Sequence, residues 1–332
     1  MELKVKMWWI DKVLRFYPFG SLLKVIEGGG TANLNLVVET EKGKFFLKCR
    51  RPQYSSQERI VFENAFQNHL KEKGLPVYPP LITKEGKNFV ILEHKVFQLY
   101  PYVEGSIFSE ENLGELVEVS KILGRFHLAA TSFSPPLSKD LPRYDDPRIM
   151  KEKLQKVRKI GEKEEREKIN FLINLTLRIE KELSDKLYYS LPYTYIHGDF
   201  HPVNLKFKKG KVVGIFDFDW VSLQPGLRDI ADGLLFFASL KKEKYQSDNI
   251  ASLTQAVNFD LKRTKTFLQF YEESAKLSFE ERKLLPWFIR ARWLNCRVEG
   301  MRKVSKEKRI PYLLKDIFKP LNFLEKIENK FI

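Results

Sequence analysis

Apolar and polar positions divide the chain into two unlike parts. Before about residue 103 short apolar runs dominate, and Leu22 to Ile26, Leu34 to Glu39, Lys44 to Arg50 and Val96 to Val103 each read as a strand. Within that part, Glu58 to Lys73 departs from the strand pattern. There Ile60, Phe62, Ala65, Phe66 and Leu70 recur near a 3.6-residue period, and Gly74-Leu75-Pro76 stops them, which predicts an amphipathic helix. Beyond residue 106 the helical period takes over. Asn112 to His127 carries Leu113, Leu116, Val119, Leu123 and Phe126 on one side, and Ser278-Phe279-Glu280-Glu281 is a capping box opening a later helix. The expectation is an α+β, bilobal fold with a β-rich N-lobe (1–103) holding one key helix and a mainly helical C-lobe (104–332), and a ligand cleft between them. Pro135-Pro136, Pro142 and Pro147 mark a loop-rich insert after the helix ending near His127, at a position suited to shaping an acceptor pocket.

Three oxygen-bearing side chains sit where this pattern alone does not ask for them. The run His197-Gly198-Asp199-Phe200-His201-Pro202-Val203-Asn204 is followed, after a short hairpin, by Ile215-Phe216-Asp217-Phe218-Asp219. Transfer of a γ-phosphoryl group needs a carboxylate that orients and deprotonates the attacking hydroxyl. It also needs hard oxygen ligands that hold Mg²⁺ against a triphosphate. Asp199 suits the first task, and Asn204 and Asp217 suit the second. Upstream, Gly28-Gly29-Gly30-Thr31-Ala32-Asn33 is a turn between two strands. Without Cβ atoms, Gly29 and Gly30 let backbone amides approach phosphate oxygens, with Asn33 closing the turn. Lys48 stands between apolar neighbours on the third strand. No Walker A pattern occurs in the chain, which removes the commonest P-loop architecture.

The motif H-G-D-x-H-P-x-N followed by D-F-D resembles the aminoglycoside phosphotransferase and homoserine kinase type II superfamily, which shares the protein-kinase-like fold. The resemblance implies Asp199 as catalytic base, Asn204 and Asp217 as Mg²⁺ ligands, and Lys48 over the α- and β-phosphates of ATP. It implies a helix glutamate paired with that lysine. Glu63, eleven residues before Gly74, is the choice, and Glu58 is the fallback. Leu99, Tyr100 and Tyr102 are the adenine-contacting stretch, at the hinge before Glu104-Gly105-Ser106. His197 is expected to hold the loop's backbone. Asp229, in Asp229-Ile230-Ala231, reads from its residues as an N-cap to an apolar helix over Leu234 to Leu240, and from the resemblance as support for the catalytic loop. Asp219 and His201 are acceptor-side or metal-side candidates. His197 and His201 do not make a zinc pair, since no third ligand accompanies them. His69, His94 and His127 read as ordinary helix or turn residues.

The reaction implied is ATP- and Mg²⁺-dependent phosphorylation of a hydroxyl on a small metabolite: an amino sugar, an amino alcohol or a homoserine-like compound. Homoserine kinases of this type tend to carry H-x-D-L-F-x-D-N, from which Phe200-His201-Pro202-Val203 departs. Aminoglycoside enzymes usually have an acidic acceptor cleft, for which the net charge here lends no support. The alternatives are a Ser/Thr protein kinase of the same superfamily and a non-catalytic, spore-coat-like scaffold.

Charge changes the picture little. The 58 Lys and Arg against 43 Asp and Glu give a net charge of +15, which raises nucleic acid or anionic membrane as partners. The densest stretch, Lys151 to Lys168, interleaves glutamates, among them Glu162, Glu164, Glu165 and Glu167, as a solvated helix does, and no nucleic-acid-binding motif accompanies it. Neither a nucleic-acid nor a membrane partner is expected. The run Arg302 to Arg309, more one-sided, reads as a solubilising loop between C-terminal helices, with an anionic docking patch as the alternative. Two cysteines without ligand or disulfide spacing, no apolar stretch of eighteen, and an N-terminus Met1-Glu2-Leu3-Lys4-Val5-Lys6 unlike a signal peptide fit the cytoplasm. Oligomeric state is left open.

Overall fold

The computed structural model describes residues 7–30, 33–139, 141–143, 145–246 and 248–330. Thr31 and Ala32 of the glycine turn and the six N-terminal residues read for a signal peptide lie outside them. Five strands, β1 (Leu22–Glu27), β2 (Leu34–Thr40), β3 (Gly43–Cys49), β4 (Val90–Leu92) and β5 (Lys95–Pro101), form an antiparallel sheet in the order β1-β2-β3-β5-β4. The register sets Lys48 beside Asn35 on one side and Gln98 on the other. A short helix, α1 (Met7–Leu14), was not apparent in the sequence, because eight residues give too few turns to show a period. It packs Trp9, Ile10, Val13 and Leu14 into one core with Leu36, Val38, Phe45, Leu47 and Leu99.

Helix α2 (Gln57–Glu72) starts at Ser56, whose hydroxyl accepts from the Arg59 amide. Its buried face is shared between the two regions. Phe62, Phe66 and Leu70 belong to the core of the helical part, with Phe126, Phe200 and Phe218. Truncating one such buried phenylalanine to alanine typically costs about 3–5 kcal/mol, so this face fixes α2 firmly against the catalytic segment.

The rest is mainly helical: α3 (Leu113–Ala130), α4 (Pro147–Arg158), α5 (Lys163–Glu182), then α6 (Leu227–Gly233), α7 (Leu261–Tyr271) and α8 (Phe279–Gly300). The capping box at Ser278 forms as the sequence implies. Between α5 and α6, two ribbons carry the motif residues: β6 (Tyr193–Ile196) pairs with β9 (Ser222–Pro225), and β7 (Leu205–Lys208) pairs with β8 (Lys211–Ile215). After β5 the chain passes Gly105, where a Cβ would lie 2.7 Å from the Phe207 carbonyl oxygen, and Ser106 then exchanges backbone hydrogen bonds with Phe207 at 2.9 and 2.8 Å.

One expected element is corrected. Leu234 to Leu240 is not an α-helix: residues 234–238 form a π-helical turn, and Ser239–Lys241 is a strand paired with Val257–Phe259. Apolarity there reflects burial on all sides, which periodicity cannot separate from a helix. Among the described residues no helix is long and apolar enough to cross a membrane. Cys49 and Cys296 are free and buried.

Candidate active site

The loop from His197 to Asn204 is held from below by α6. Asp229 lies within that helix and not at its N-cap as its sequence setting suggested. Its carboxylate accepts from the amides of His197 at 2.6 Å and Gly198 at 2.9 Å, and lies 3.2 Å from His127 Nε2. Burial opposes its charge, but the bond from His127 and the Gly198 amide outweigh burial and hold it below the usual carboxylate range. His127 is therefore no ordinary helix residue. It bridges Asp229 and the Tyr271 hydroxyl, the latter at 2.8 Å.

His197 is fully buried, and burial lowers its pKa, so the ring is neutral. Its Nε2 lies 2.9 Å from the Phe216 carbonyl while its Nδ1 accepts from the Asp199 amide at 3.3 Å, which assigns the proton to Nε2. The imidazole thus staples the loop to the strand leading into Asp217. Two further bonds close the same unit: Asn204 Nδ2 donates to the Asp199 carbonyl at 2.9 Å, and the Phe216 amide donates to the Asn204 carbonyl at 2.9 Å. Asp199, Asn204 and Asp217 are brought together as one site.

The Asp199 carboxylate has two cationic or polar neighbours, His201 Nε2 at 3.4 Å and Arg292 Nη2 at 3.3 Å. Burial works against its charge, but His201, Arg292 and His197 hold it below the usual carboxylate range. Arg292, from α8, also pairs with buried Asp232, and its guanidinium sits 5.5 Å from the Phe236 ring. Nothing in sequence spacing pointed to Arg292, because it arrives from a helix almost a hundred residues downstream. Lys303 was likewise missed. Its ammonium is pushed down by burial and pulled back by the Asp199 and Asp217 carboxylates, so the basic run begins within electrostatic reach of the site.

Lys48 enters from β3. Its Nζ is 3.0 Å from Asp217 Oδ1 and 2.8 Å from Asp219 Oδ1. Burial disfavours the ammonium, yet the two carboxylates more than offset that and raise its pKa. Asp217 adopts φ 63°, in the left-handed region, and remains partly accessible. Burial and the neighbouring Asp219 and Asp199 charges raise its pKa against the pull of Lys48. Asp219 is buried, and although burial works against its charge, Lys48, Arg50 and a 2.6 Å bond from Asn33 Nδ2 lower its pKa.

Several candidates sit differently from expectation. Glu63 does not pair with Lys48. Among the described residues its partners are Arg50 at 2.7 Å, Lys139 at 2.6 Å and, more loosely, Arg59 at 4.0 Å. Glu58 is exposed in the first turn of α2. Asn33 reaches past the glycine turn to Asp219, and Gly29 and Gly30 have positive φ, which glycine adopts without strain. Leu99 is a core residue whose carbonyl already accepts from the Leu81 amide at 2.7 Å. The Tyr100 hydroxyl donates to Gln98, burial raises its pKa to about 12, and Tyr102 is exposed. The described part of the proline-rich insert packs on α2 and the Asp217–Asp219 turn through Lys139.

A model of the phosphotransferase enzyme family matches residues 23–257. The chain is 28% identical over 209 residues to the homoserine kinase of Bartonella henselae, a match spanning 61% of either protein. With the homoserine kinase of Polaromonas naphthalenivorans it shares 26% identity over 285 residues, 84% of this chain and 81% of that one. A solved amicoumacin kinase in complex with AMP-PNP and Ca²⁺ superposes with a TM-score of 0.66 at 17% identity, covering 98% of this chain and 94% of that one. At that identity the superposition speaks for the fold, which is protein-kinase-like.

Proposed function

This chain belongs to the phosphotransferase enzyme family, and we propose that it moves the γ-phosphoryl group of ATP to a hydroxyl of a small metabolite. The observation that carries the reading is the hydrogen-bonded unit of Asp199, Asn204 and Asp217 with Lys48 docked on it.

In this reading Asp199 orients the acceptor hydroxyl and takes its proton. The new O–P bond forms as the bond from Pγ to its bridging oxygen breaks, and ADP leaves with the electron pair. A depressed pKa keeps Asp199 ionised and ready, with His201 and Arg292 fixing its direction. Lys48 serves the phosphates, with Gly29, Gly30 and Asn33 on the covering turn. Tyr102 and the backbone from Leu99 to Tyr100 border the adenine, and the hinge falls between the 1–103 and 104–332 lobes.

Mg²⁺ fits the residues present. Burial and the neighbouring Asp219 and Asp199 charges push the Asp217 carboxyl up, and a divalent cation beside it would favour its charged form. The amide nitrogen of Asn204 is spent on Asp199, leaving its oxygen as the donor. Asn204 and Asp217 would hold the ion, and two protein ligands are usual for Mg²⁺, which draws its remaining ligands from phosphates and water. When bound, the ion supplies charge neutralisation at the phosphates.

Arg292 beside the base favours an acceptor with a carboxylate or little positive charge over a polycationic aminoglycoside. The homoserine kinase relatives support a homoserine-like compound, whereas Phe200 to Val203 departs from their pattern.

Titration calorimetry with ATP, with and without Mg²⁺, tests the nucleotide site. Mg²⁺-dependent binding that Asp217→Ala abolishes is the expected result. No binding at millimolar ATP would sink the reading and leave the spore-coat-like scaffold.

A further inference from the structure

We infer that Lys139, from the proline-rich segment after α3, is a positioning residue that fixes the Asp217–Asp219 turn against α2 and so holds the metal-binding side of the site in place.

The side chain of Lys139 is almost completely buried, and its ammonium group meets three oxygens: Glu63 Oε1 at 2.6 Å, the Asp219 carbonyl at 2.9 Å and the Phe218 carbonyl at 3.3 Å. An ammonium has three N–H donors, and this arrangement offers an acceptor to each. A buried cation on a surface insert persists only where it is paired this fully. The carbonyls it grips belong to the two residues directly after Asp217, whose left-handed backbone needs support from its surroundings.

The clamp has neighbours that share its task. Arg59 Nη2 donates to the same Asp219 carbonyl at 3.0 Å, and Arg50 bridges Glu63 and the Asp219 carboxylate at 2.7 and 3.4 Å. Lys139 and Arg59 therefore grip the backbone side of the turn, while Lys48, Arg50 and Asn33 hold its carboxylates. Leu141 and Pro142, further along the insert, line a small cavity with Gly198, Trp220 and Arg228, beneath the loop that bears Asp199. The insert thus runs from the turn of the proposed metal ligand, where Lys139 anchors it, to beneath the loop of the proposed base. A lysine that reaches a kinase-like site only through the carbonyls of the Asp217–Asp219 turn is not legible from the motifs, and Lys139 carries no motif of its own.

Hydrogen exchange on the free protein tests the clamp without any assumption about activity. In Lys139→Met, amides of 216–221 and of the insert should exchange about tenfold faster or more, while Lys139→Arg should stay within about threefold of the wild type. The second measurement rests on the proposed phosphotransfer: Lys139→Met should weaken Mg·ATP about 10- to 100-fold, as loss of an outer-shell partner does, with Mg²⁺-free ATP affinity unchanged. Should Lys139→Met not fold, Lys139→Gln, which keeps an N–H donor near the same reach, replaces it. Unchanged exchange in the turn would overturn the inference, as would a loosened turn with normal Mg·ATP binding. If the wild type binds no Mg·ATP, the phosphotransfer reading fails alone and the exchange result still decides the clamp.

Discussion

Arg50 Nη1 lies 2.7 Å from Glu63 Oε2, with both side chains almost completely buried. Arg50 stands two residues beyond Lys48, so the two-residue repeat of an extended chain sends both side chains to the same side of the sheet, toward α2. Arg50 takes the glutamate, and Lys48 is left to Asp217 and Asp219. The helix is therefore anchored independently of the lysine assigned to the phosphates.

Arg50→Met should be among the most destabilising single changes in the chain. It leaves Glu63 with Lys139 and Arg59 and removes one of the cations facing Asp219, and breaking a buried ion pair from one side commonly costs about 3–5 kcal/mol. Glu63→Gln should also be destabilising, because it takes the shared carboxylate from Arg50 and Lys139, and the double variant should lose less than the sum of the two single losses. Denaturant unfolding of the two single variants and the double variant measures this coupling directly. Strictly additive losses would show that the pair is not the anchor.

Asp229→Asn should change how stability depends on acid. The folded pKa of Asp229 is depressed, so its contribution is fully present above its unfolded value of about 3.9 and is lost as pH falls through the folded value. The wild type should therefore lose more stability than the variant below about pH 4, and the gap of about 1–3 kcal/mol expected at pH 7 should narrow there. Urea midpoints at pH 7, 4 and 3 test it, and parallel acid curves would count against the assigned role.

Gly198→Ala should distort the loop that carries the proposed base. Gly198 sits at φ +79°, and a Cβ there would lie 2.4 Å from the Trp220 carbonyl oxygen. Left-handed strain on a non-glycine residue costs about 1–3 kcal/mol, to which the clash adds. Calorimetric unfolding should show the loss, with turnover falling alongside. A variant of wild-type stability and rate would mean that the loop adapts.

These relationships mark how far the sequence could be read. The strands around Lys48, the helix over Ile60 to Leu70 and the grouping of Asp199, Asn204 and Asp217 were legible, because each rests on a short-range period or on a motif whose spacing is chemical. The partner of Glu63 was not legible. Lys48 and Arg50 lie on one strand face, and which of them reaches the helix depends on side-chain length and on Lys139, which arrives from an irregular segment seventy-six residues away. Arg292 and His127 were invisible for the same reason: each acts through a contact about a hundred residues distant, from a helix whose own pattern records only its apolar face. Asp229 shows the opposite case. Its local setting suggested a cap, and only the tertiary contact with the His197 and Gly198 amides shows that it braces the loop.

The division of labour proposed between Asp199 as base and Asn204 and Asp217 as metal ligands gives the sharpest functional expectation. Asp199→Asn preserves size and keeps an oxygen near Arg292 and His201, but removes the negative charge proposed to orient the hydroxyl and accept its proton. Loss of a positioned general base lowers turnover about 10²- to 10⁴-fold. Mg·ATP affinity should stay within about threefold, because Asn204 is tethered through the Asp199 backbone carbonyl, which the substitution leaves intact. Asp217→Asn should do the reverse and raise the Mg²⁺ concentration needed for binding. Steady-state rates on a panel of small hydroxyl acceptors, with calorimetric Mg·ATP titrations of both variants, separate the two roles. Equal loss of nucleotide binding in both would mean that Asp199 acts as a metal ligand and that the base lies elsewhere.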